Sequence, residues 1–226
     1  MIFFPVFNPK KDLIIIIKKL LSRGINSKFI CVIDDGSKIG FNIFNEINKK
    51  NILILRHKFN QGKGKGIKTA LEFAKRNKIK FSIFADADGQ HDVRDIILLF
   101  KIASSNKFDY KKVIITQRNF KKKIPLASKL GNFISSFLVH LIYGQKFKDT
   151  QCGLRLIPYK LYKDFLKFHN NGFDYEMKCF LYSVKQNILN SNIYVKSIYK
   201  KNRYSNFRKI RDSYMVTKQI FKFYDN

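Results

Sequence analysis

In this chain of 226 residues, the side chains best suited to chemistry follow short apolar runs. Asp86-Ala87-Asp88 places two carboxylates one residue apart, directly after Phe81 to Ala85. In an extended or turning backbone both can reach one hard divalent cation, Mg2+ or Mn2+, with Gln90 or His91 near as a further ligand. A cation held this way bridges diphosphate oxygens and stabilises the charge that grows on a departing nucleoside diphosphate. A solvated Asp-Gly turn between strand and helix reads the same way. Asp34-Asp35-Gly36-Ser37 follows Val32-Ile33. A carboxylate there could accept hydrogen bonds from a ribose or a base edge, with Gly36 allowing close backbone approach, or Asp35 or Ser37 could cap a helix. Asn60-Gln61-Gly62-Lys63-Gly64-Lys65-Gly66 offers backbone N–H groups, lysines and a helix N-terminus, which suits either a phosphate cradle or a flexible basic turn. It is not a Walker loop, because Ile67 stands before Lys68-Thr69 where that motif needs glycine.

Further along, Arg118 and Lys129 border a long apolar segment, a pairing suited to a phosphate carried on a lipid. Lys121-Lys122-Lys123 could sit in a headgroup layer or form a solvated face. Asp149 and Glu176 are the remaining carboxylates near candidate loops. Each could be catalytic, a cap or an ion-pair partner.

The elements that must position these groups can be read from periodicity. Apolar runs at Ile2 to Val6, Phe29 to Ile33, Ile52 to Leu55, Phe81 to Ala85 and Val113 to Thr116 predict buried strands. Segments of helical length lie between them, at Lys10 to Leu21, Gly64 to Arg76 and Val93 to Ala103. This alternation predicts a parallel sheet with helices on both faces and a site at the strands' carboxyl ends. From Pro125 the pattern changes to an apolar helix, Leu126 to Tyr143, a turn at Gly144 to Gly153 and a strand at Leu154 to Ile157. A helix at Tyr175 to Val184, a strand at Ile193 to Ile198 and a closing helix from Lys209 to Phe223 follow. The expected organisation is one domain with a nucleotide-binding half, 1–120, and an acceptor or lid half, 121–226.

A 45% hydrophobic content is enough for a substantial core. No apolar stretch approaches the roughly 20 residues of a spanning helix, and no signal peptide is read at the N-terminus. A cytoplasmic location is therefore expected. The 3 cysteines lack metal-type spacing and are expected to be reduced thiols. Lys and Arg number 45 against 16 Asp and Glu, a net charge of +29 that attracts nucleic acid, anionic lipid or phosphorylated substrates by long-range fields, unless it reflects composition alone; a nonenzymatic nucleic-acid-binding protein is the remote alternative. No stacking platform or nucleic-acid motif is present, so nucleic acid is not an expected partner.

Taken together, Pro5-Val6-Phe7-Asn8, Val32 to Ser37, Asn60 to Gly64, Asp86 to His91, Asp149-Thr150-Gln151-Cys152-Gly153-Leu154-Arg155 and Phe207 to Ser213 resemble family 2 glycosyltransferases in order and spacing. The subgroup is similar to dolichol-phosphate mannosyltransferase and the bacterial polyprenyl-phosphate sugar transferases. The resemblance implies the GT-A, nucleotide-diphospho-sugar transferase, α/β fold and inversion at the anomeric carbon. It implies a UDP- or GDP-sugar donor and a polyprenyl phosphate acceptor at the cytoplasmic membrane face, for cell-envelope glycan synthesis. It matches Asp86, Asp88 and Gln90 to a metal site for Mg2+ or Mn2+. Pro5, Phe7, Asn8, Asp34, Asp35, Gly62, Lys63, Asp86, Ala87, Arg203 and Arg211 fall at donor-binding positions. Arg118, Lys129, Asp149, Gln151 and Glu176 fall at acceptor positions, and Asp88, Arg118 and Arg208 at catalytic ones. Acceptor access is expected through an anionic membrane surface or a separate membrane protein. Transfer to a saccharide or protein hydroxyl would instead need Asp149 or Glu176 as base.

Overall fold

The structure is a computed structural model that describes residues 1–105, 108–119, 126–196, 198 and 209–224. The chain runs β1 (Ile2–Val6), α1 (Lys11–Leu21), β2 (Ile30–Asp34), α2 (Phe41–Asn48), β3 (Leu53–Arg56), α3 (Lys63–Arg76), β4 (Phe81–Phe84), α4 (Val93–Ser104), β5 (Val113–Ile115) and β6 (Gln117–Arg118). It continues through α5 (Leu126–Tyr143), β7 (Arg155–Pro158), α6 (Tyr162–Leu166), α7 (Asp174–Lys185), β8 (Leu189–Asn190), β9 (Tyr194–Val195) and α8 (Lys209–Tyr224).

Strand residues alternate between two buried layers, because successive side chains leave a strand on opposite faces. Ile2, Phe4, Val6, Ile30 and Val32 pack with α1, α2 and α4, which bring Leu13, Ile17, Phe44, Ile47, Ile96 and Leu99. Phe3, Cys31 and Ile33 face the other way, onto Ile67, Ala70 and Leu71 of α3 and Tyr175, Phe180 and Leu181 of α7. Each such Ile, Leu or Phe contributes about 1.5–3 kcal/mol by leaving water. Leu13, Ile14, Ile16, Ile17 and Leu20 give α1 a helical apolar stripe, with Asp12 in the first turn and Lys18 and Lys19 in the last, matching the helix dipole. Asp92 starts α4 by accepting from the Arg94 N–H.

The seven strands of the main sheet lie in the order β3-β2-β1-β4-β7-β5-β8. β1, β2, β3 and β4 pair in parallel. The sheet is mostly parallel, as expected, with β7 running antiparallel between β4 and β5 and separating them. No local pattern encodes that insertion, since β7 pairs with a strand more than seventy residues earlier, Phe84 facing Arg155. The strand expected over Ile193 to Ile198 is confined to Tyr194 and Val195, which pair with β6 as a small separate ribbon. The order reverses at β1, so the loops after β1, β2 and β4 open at one crevice. Cys31, Cys152 and Cys179 are free and buried.

Candidate functional site

Two carboxylates close β2. Asp34 is fully buried; its Oδ2 accepts from Arg56 Nε at 2.5 Å and its Oδ1 from the Ser37 N–H at 2.9 Å. Asp35 reaches across to the loop before α3. Its Oδ2 accepts from Gly62 N at 2.8 Å and Asn60 Nδ2 at 2.9 Å, and its Oδ1 from Gln61 N at 2.9 Å. His57 Nδ1 lies 2.7 Å from Asp35 Oδ1, and its Nε2 lies 2.9 Å from Thr69 Oγ1, which ties β3 to α3.

The glycine-rich loop is therefore an anion cradle, but the anion is the protein's own Asp35. Three residues on, Lys65 N donates to Asn171 O at 3.1 Å. Gly62 sits at φ 103°, and a Cβ there would lie 2.4 Å from Asn171 O, so glycine is required for this closure. The Gly62 N–H, expected at a phosphate, is committed to Asp35 in this structure. The Asp34 and Asp35 carboxylates, expected at the donor, are engaged here by Arg56, Ser37 and the 60–62 loop. Asn8, at φ 51°, ties down the loop after β2: its Oδ1 accepts from Lys38 N at 2.9 Å and its N–H donates to Ser37 Oγ at 2.8 Å. Pro5 faces α3, where a Cβ on Gly66 would touch its ring at 3.4 Å, and Phe7 is half-buried. An open cleft lined by Ser37, Phe41, Arg56 and His57 flanks this loop system.

The second centre lies at the end of β4. Lys63, the first residue of α3, places its Nζ 2.7 Å from Asp86 Oδ1 and 2.8 Å from Glu176 Oε2. His91 Nε2 lies 3.3 Å from Asp86 Oδ2, and Arg155 donates to Glu176 O at 2.6 Å. A Cβ on Gly153 would stand 2.1 Å from Asp86 Oδ2, so the carboxylate occupies the room a side chain would fill. Burial alone would raise the Asp86 carboxyl, but the Lys63 ammonium and His91 outweigh it and hold the group well below the usual carboxylate range. Burial likewise opposes the charged Lys63, and Asp86 and Glu176 together raise it above its ordinary value. Asp88, on the same loop beside Ala87, accepts from the Gln90 N–H at 3.0 Å, and the Gln90 side-chain amide turns onto its other oxygen.

The donor set of Asp86, Asp88 and the Gln90 amide oxygen suits a hard divalent cation in chemistry, and the missing side chain at Gly153 makes room for the Asp86 carboxylate itself. Among the described residues, however, no three His, Cys, Asp or Glu side chains converge as metal ligands. In this structure Lys63 engages the Asp86 carboxylate, and the Gln90 amide donates to that of Asp88.

The third centre fixes Arg118. Its Nε and Nη2 engage Asp149 Oδ2 at 2.5 Å and Oδ1 at 2.9 Å, and its N–H adds a bond to Oδ2 at 3.1 Å. Asp149 is fully buried, and Gln151 N donates to its Oδ1 at 3.0 Å. The 148–151 loop is clamped to the inner face of α5: Asn132 Nδ2 donates to Lys148 O at 2.8 Å, and Ser135 Oγ lies 2.9 Å from Thr150 Oγ1. The Gln151 side chain also turns onto α5, donating to Ser135 Oγ at 3.2 Å. Asp149, Gln151 and Glu176, expected at the acceptor, make internal contacts here, to Arg118, Ser135 and Lys63. Lys129 and Arg211 are exposed on α5 and α8, while Arg203 and Arg208 lie outside the described residues. His57, Gly153 and Arg155 were missed as site-builders; Gly153 and Arg155 belong to the recognised Asp149 to Arg155 stretch, which was the available signal.

Comparison with known proteins agrees with this architecture. Residues 1–183 match the glycosyl transferase family 2 model. An uncharacterized protein of Methanocaldococcus jannaschii is 35% identical over 175 residues, covering 73% of each chain. The UDP-N-acetylglucosamine–dolichyl-phosphate N-acetylglucosaminyltransferase of Methanococcus voltae is 28% identical over 171 residues, 68% of this chain and 67% of its own. Glucosyl-3-phosphoglycerate synthase of Mycobacterium tuberculosis, solved with Mn2+, UDP and glucosyl-3-phosphoglycerate, superposes with a TM-score of 0.73 at 11% identity, over 98% of this chain and 78% of its own. That likeness speaks to the fold, a mixed α/β GT-A architecture. The chain belongs to glycosyl transferase family 2 and is a glycosyltransferase.

Proposed function

We propose that the protein transfers a sugar from a nucleotide-diphosphate sugar, with Mg2+ or Mn2+, to a polyprenyl phosphate presented by an anionic membrane surface at the cytoplasmic face. The observation that carries the acceptor reading is the outer face of α5. Leu130, Phe133, Ile134, Phe137 and Leu141 recur at helical spacing and are all exposed, with the Phe133 and Phe137 rings stacked 6.4 Å apart. The opposite face, with Asn132, Ser135 and Val139, is buried. An exposed apolar stripe of this kind fits an interfacial helix lying on a bilayer, and exposed Lys129, Lys146 and Lys148 add attraction to anionic headgroups. Among the described residues no helix is long and apolar enough to cross a membrane. The M. voltae relative, named for a dolichyl phosphate acceptor, points the same way.

The ion pairs favour a phosphate over a hydroxyl acceptor. A hydroxyl needs a base, and both candidates are engaged: Asp149 by Arg118, and Glu176 by Lys63. A phosphate is ionised at neutral pH, so this chain's residues need only orient it and balance its charge, the role we assign to Arg118, whose guanidinium Asp149 orients. Asp86 and Asp88 would hold the cation, which when bound neutralises charge on the donor diphosphate.

The test is transfer by the purified chain, given UDP- or GDP-sugars and Mn2+, to a short polyprenyl phosphate in anionic vesicles or to free saccharides. Product on the lipid, lost with EDTA and in Asp88→Ala, supports the reading. Product on the saccharide alone would reject the acceptor assignment.

A further inference from the structure

Lys63 is an unusual neighbour for a carboxylate offered to a cation. Its ammonium bridges Asp86 Oδ1 at 2.7 Å and Glu176 Oε2 at 2.8 Å, with Nζ 5.4 Å from the Phe173 ring centroid. The bridge joins the loop after β4 to the first turn of α7, and it starts from a backbone position locked by Gly62 and Asp35. A divalent cation held by Asp86 would compete with the ammonium for the same carboxylate. Two cations cannot share that carboxylate cheaply in a partly dehydrated pocket, because their mutual repulsion is screened little there. The ammonium has to give way, and it needs a new partner when it does.

We propose that Lys63 is a positioning residue that makes cation entry at Asp86 conditional on the donor diphosphate. This rests on the donor and cation reading above. With its donor group held by Asp86 and Glu176, the ammonium fills the place of the incoming positive charge. A diphosphate arriving beside Asp86 brings negative charge that draws the flexible lysine stem off the carboxylate and simultaneously supplies oxygens for the cation. Cation and nucleotide therefore bind cooperatively, and each raises the affinity for the other by the same factor. Glu176 acts as the anchor that returns Lys63 to Asp86 after the nucleoside diphosphate departs, which helps release the cation with it. This role is distinct from that of the Gly62 backbone, whose N–H is committed to Asp35.

The experiment is direct Mn2+ binding, read by the electron paramagnetic resonance signal of free Mn2+, for the wild type and for Lys63→Gln, Lys63→Met and Lys63→Arg, with and without UDP. The wild type is expected to bind Mn2+ weakly alone and at least about tenfold more tightly with UDP. Either neutral variant is expected to bind Mn2+ without UDP about tenfold more tightly than the wild type and to show a smaller UDP effect. Lys63→Arg keeps the charge and should stay near the wild type. Wild-type Mn2+ affinity that does not respond to UDP would overturn the proposal even if no variant folded. So would neutral variants, folded by thermal melting, that bind nucleotide-free Mn2+ no better than the wild type. No Mn2+ binding by the wild type even with UDP would instead remove the cation assignment itself, and this inference with it.

Discussion

Gly153→Ala isolates what the small residue beside Asp86 does. The added Cβ would stand 2.1 Å from Asp86 Oδ2 and 2.7 Å from its Cγ. Ordinary heavy-atom contact is about 3.5 Å, so the carboxylate must retreat by about 1 Å or more. That movement stretches the 2.7 Å Lys63 contact and the 3.3 Å His91 contact together. Overpacking of this kind costs about 1–3 kcal/mol, and the low end is expected because the Asp86 side chain is 30% exposed and can swing toward solvent. For a chain of this length the melting temperature falls about 2–4 °C per kcal/mol. The assay is thermal melting with and without UDP and Mn2+. The variant should melt a few degrees lower, and the ligand-induced rise should disappear. Gly131→Ala in α5 is the control, because its added Cβ meets nothing within 4 Å and alanine is the better helix former. A Gly153→Ala protein with wild-type melting and an intact ligand response would refute the placement of Asp86 at the donor site.

Three further outcomes follow from the same geometry. Asp149→Ala leaves the Arg118 guanidinium without its buried partner, and urea denaturation should show a loss of about 3–5 kcal/mol; under 1 kcal/mol would mean that the pair does not organise the 148–151 loop. Phe133→Asp with Phe137→Asp changes only exposed positions, so stability should move by less than about 0.5 kcal/mol per site while co-sedimentation with anionic vesicles is lost; retained sedimentation would remove α5 as the lipid-facing surface. Burial pushes the thiols up from 9.0, to about 12 for Cys31 and Cys179 and about 11 for Cys152. Above pH 9 the unfolded chain sheds these protons while the folded chain keeps them, so their contribution is intact below pH 9 and declines as pH rises toward 11–12. Urea midpoints that stay level from pH 9 to pH 10.5 would contradict this.

Much of the fold was legible because it is written in local periodicity. The stripe of Leu13, Ile17 and Leu20 announces α1, and the doubly buried runs of β1 and β2 announce central strands. α2 and α6 escaped because eight and five residues carry too few turns for a period to register. Asp86-Ala87-Asp88 and the glycine-rich loop stood out by composition and flanking elements, and both lie at the crevice where the strand order reverses. What each group does there was not legible, since hydrogen bonding is a matter of which atoms meet across the fold.

The sequence by itself determined the alternation of strands and helices, the positions of the carboxylates at strand ends and the family to which their order belongs. Only the tertiary structure decided that β7 inserts antiparallel beside β4, that the N–H groups of the glycine loop close on Asp35, that Lys63 joins Asp86 to Glu176, and that α5 turns Asn132 and Ser135 inward and its phenylalanines out. The physical reason is range. Propensity and periodicity act over a few residues, whereas a buried polar atom must find its partner wherever packing brings one, and that choice is made by the whole core at once.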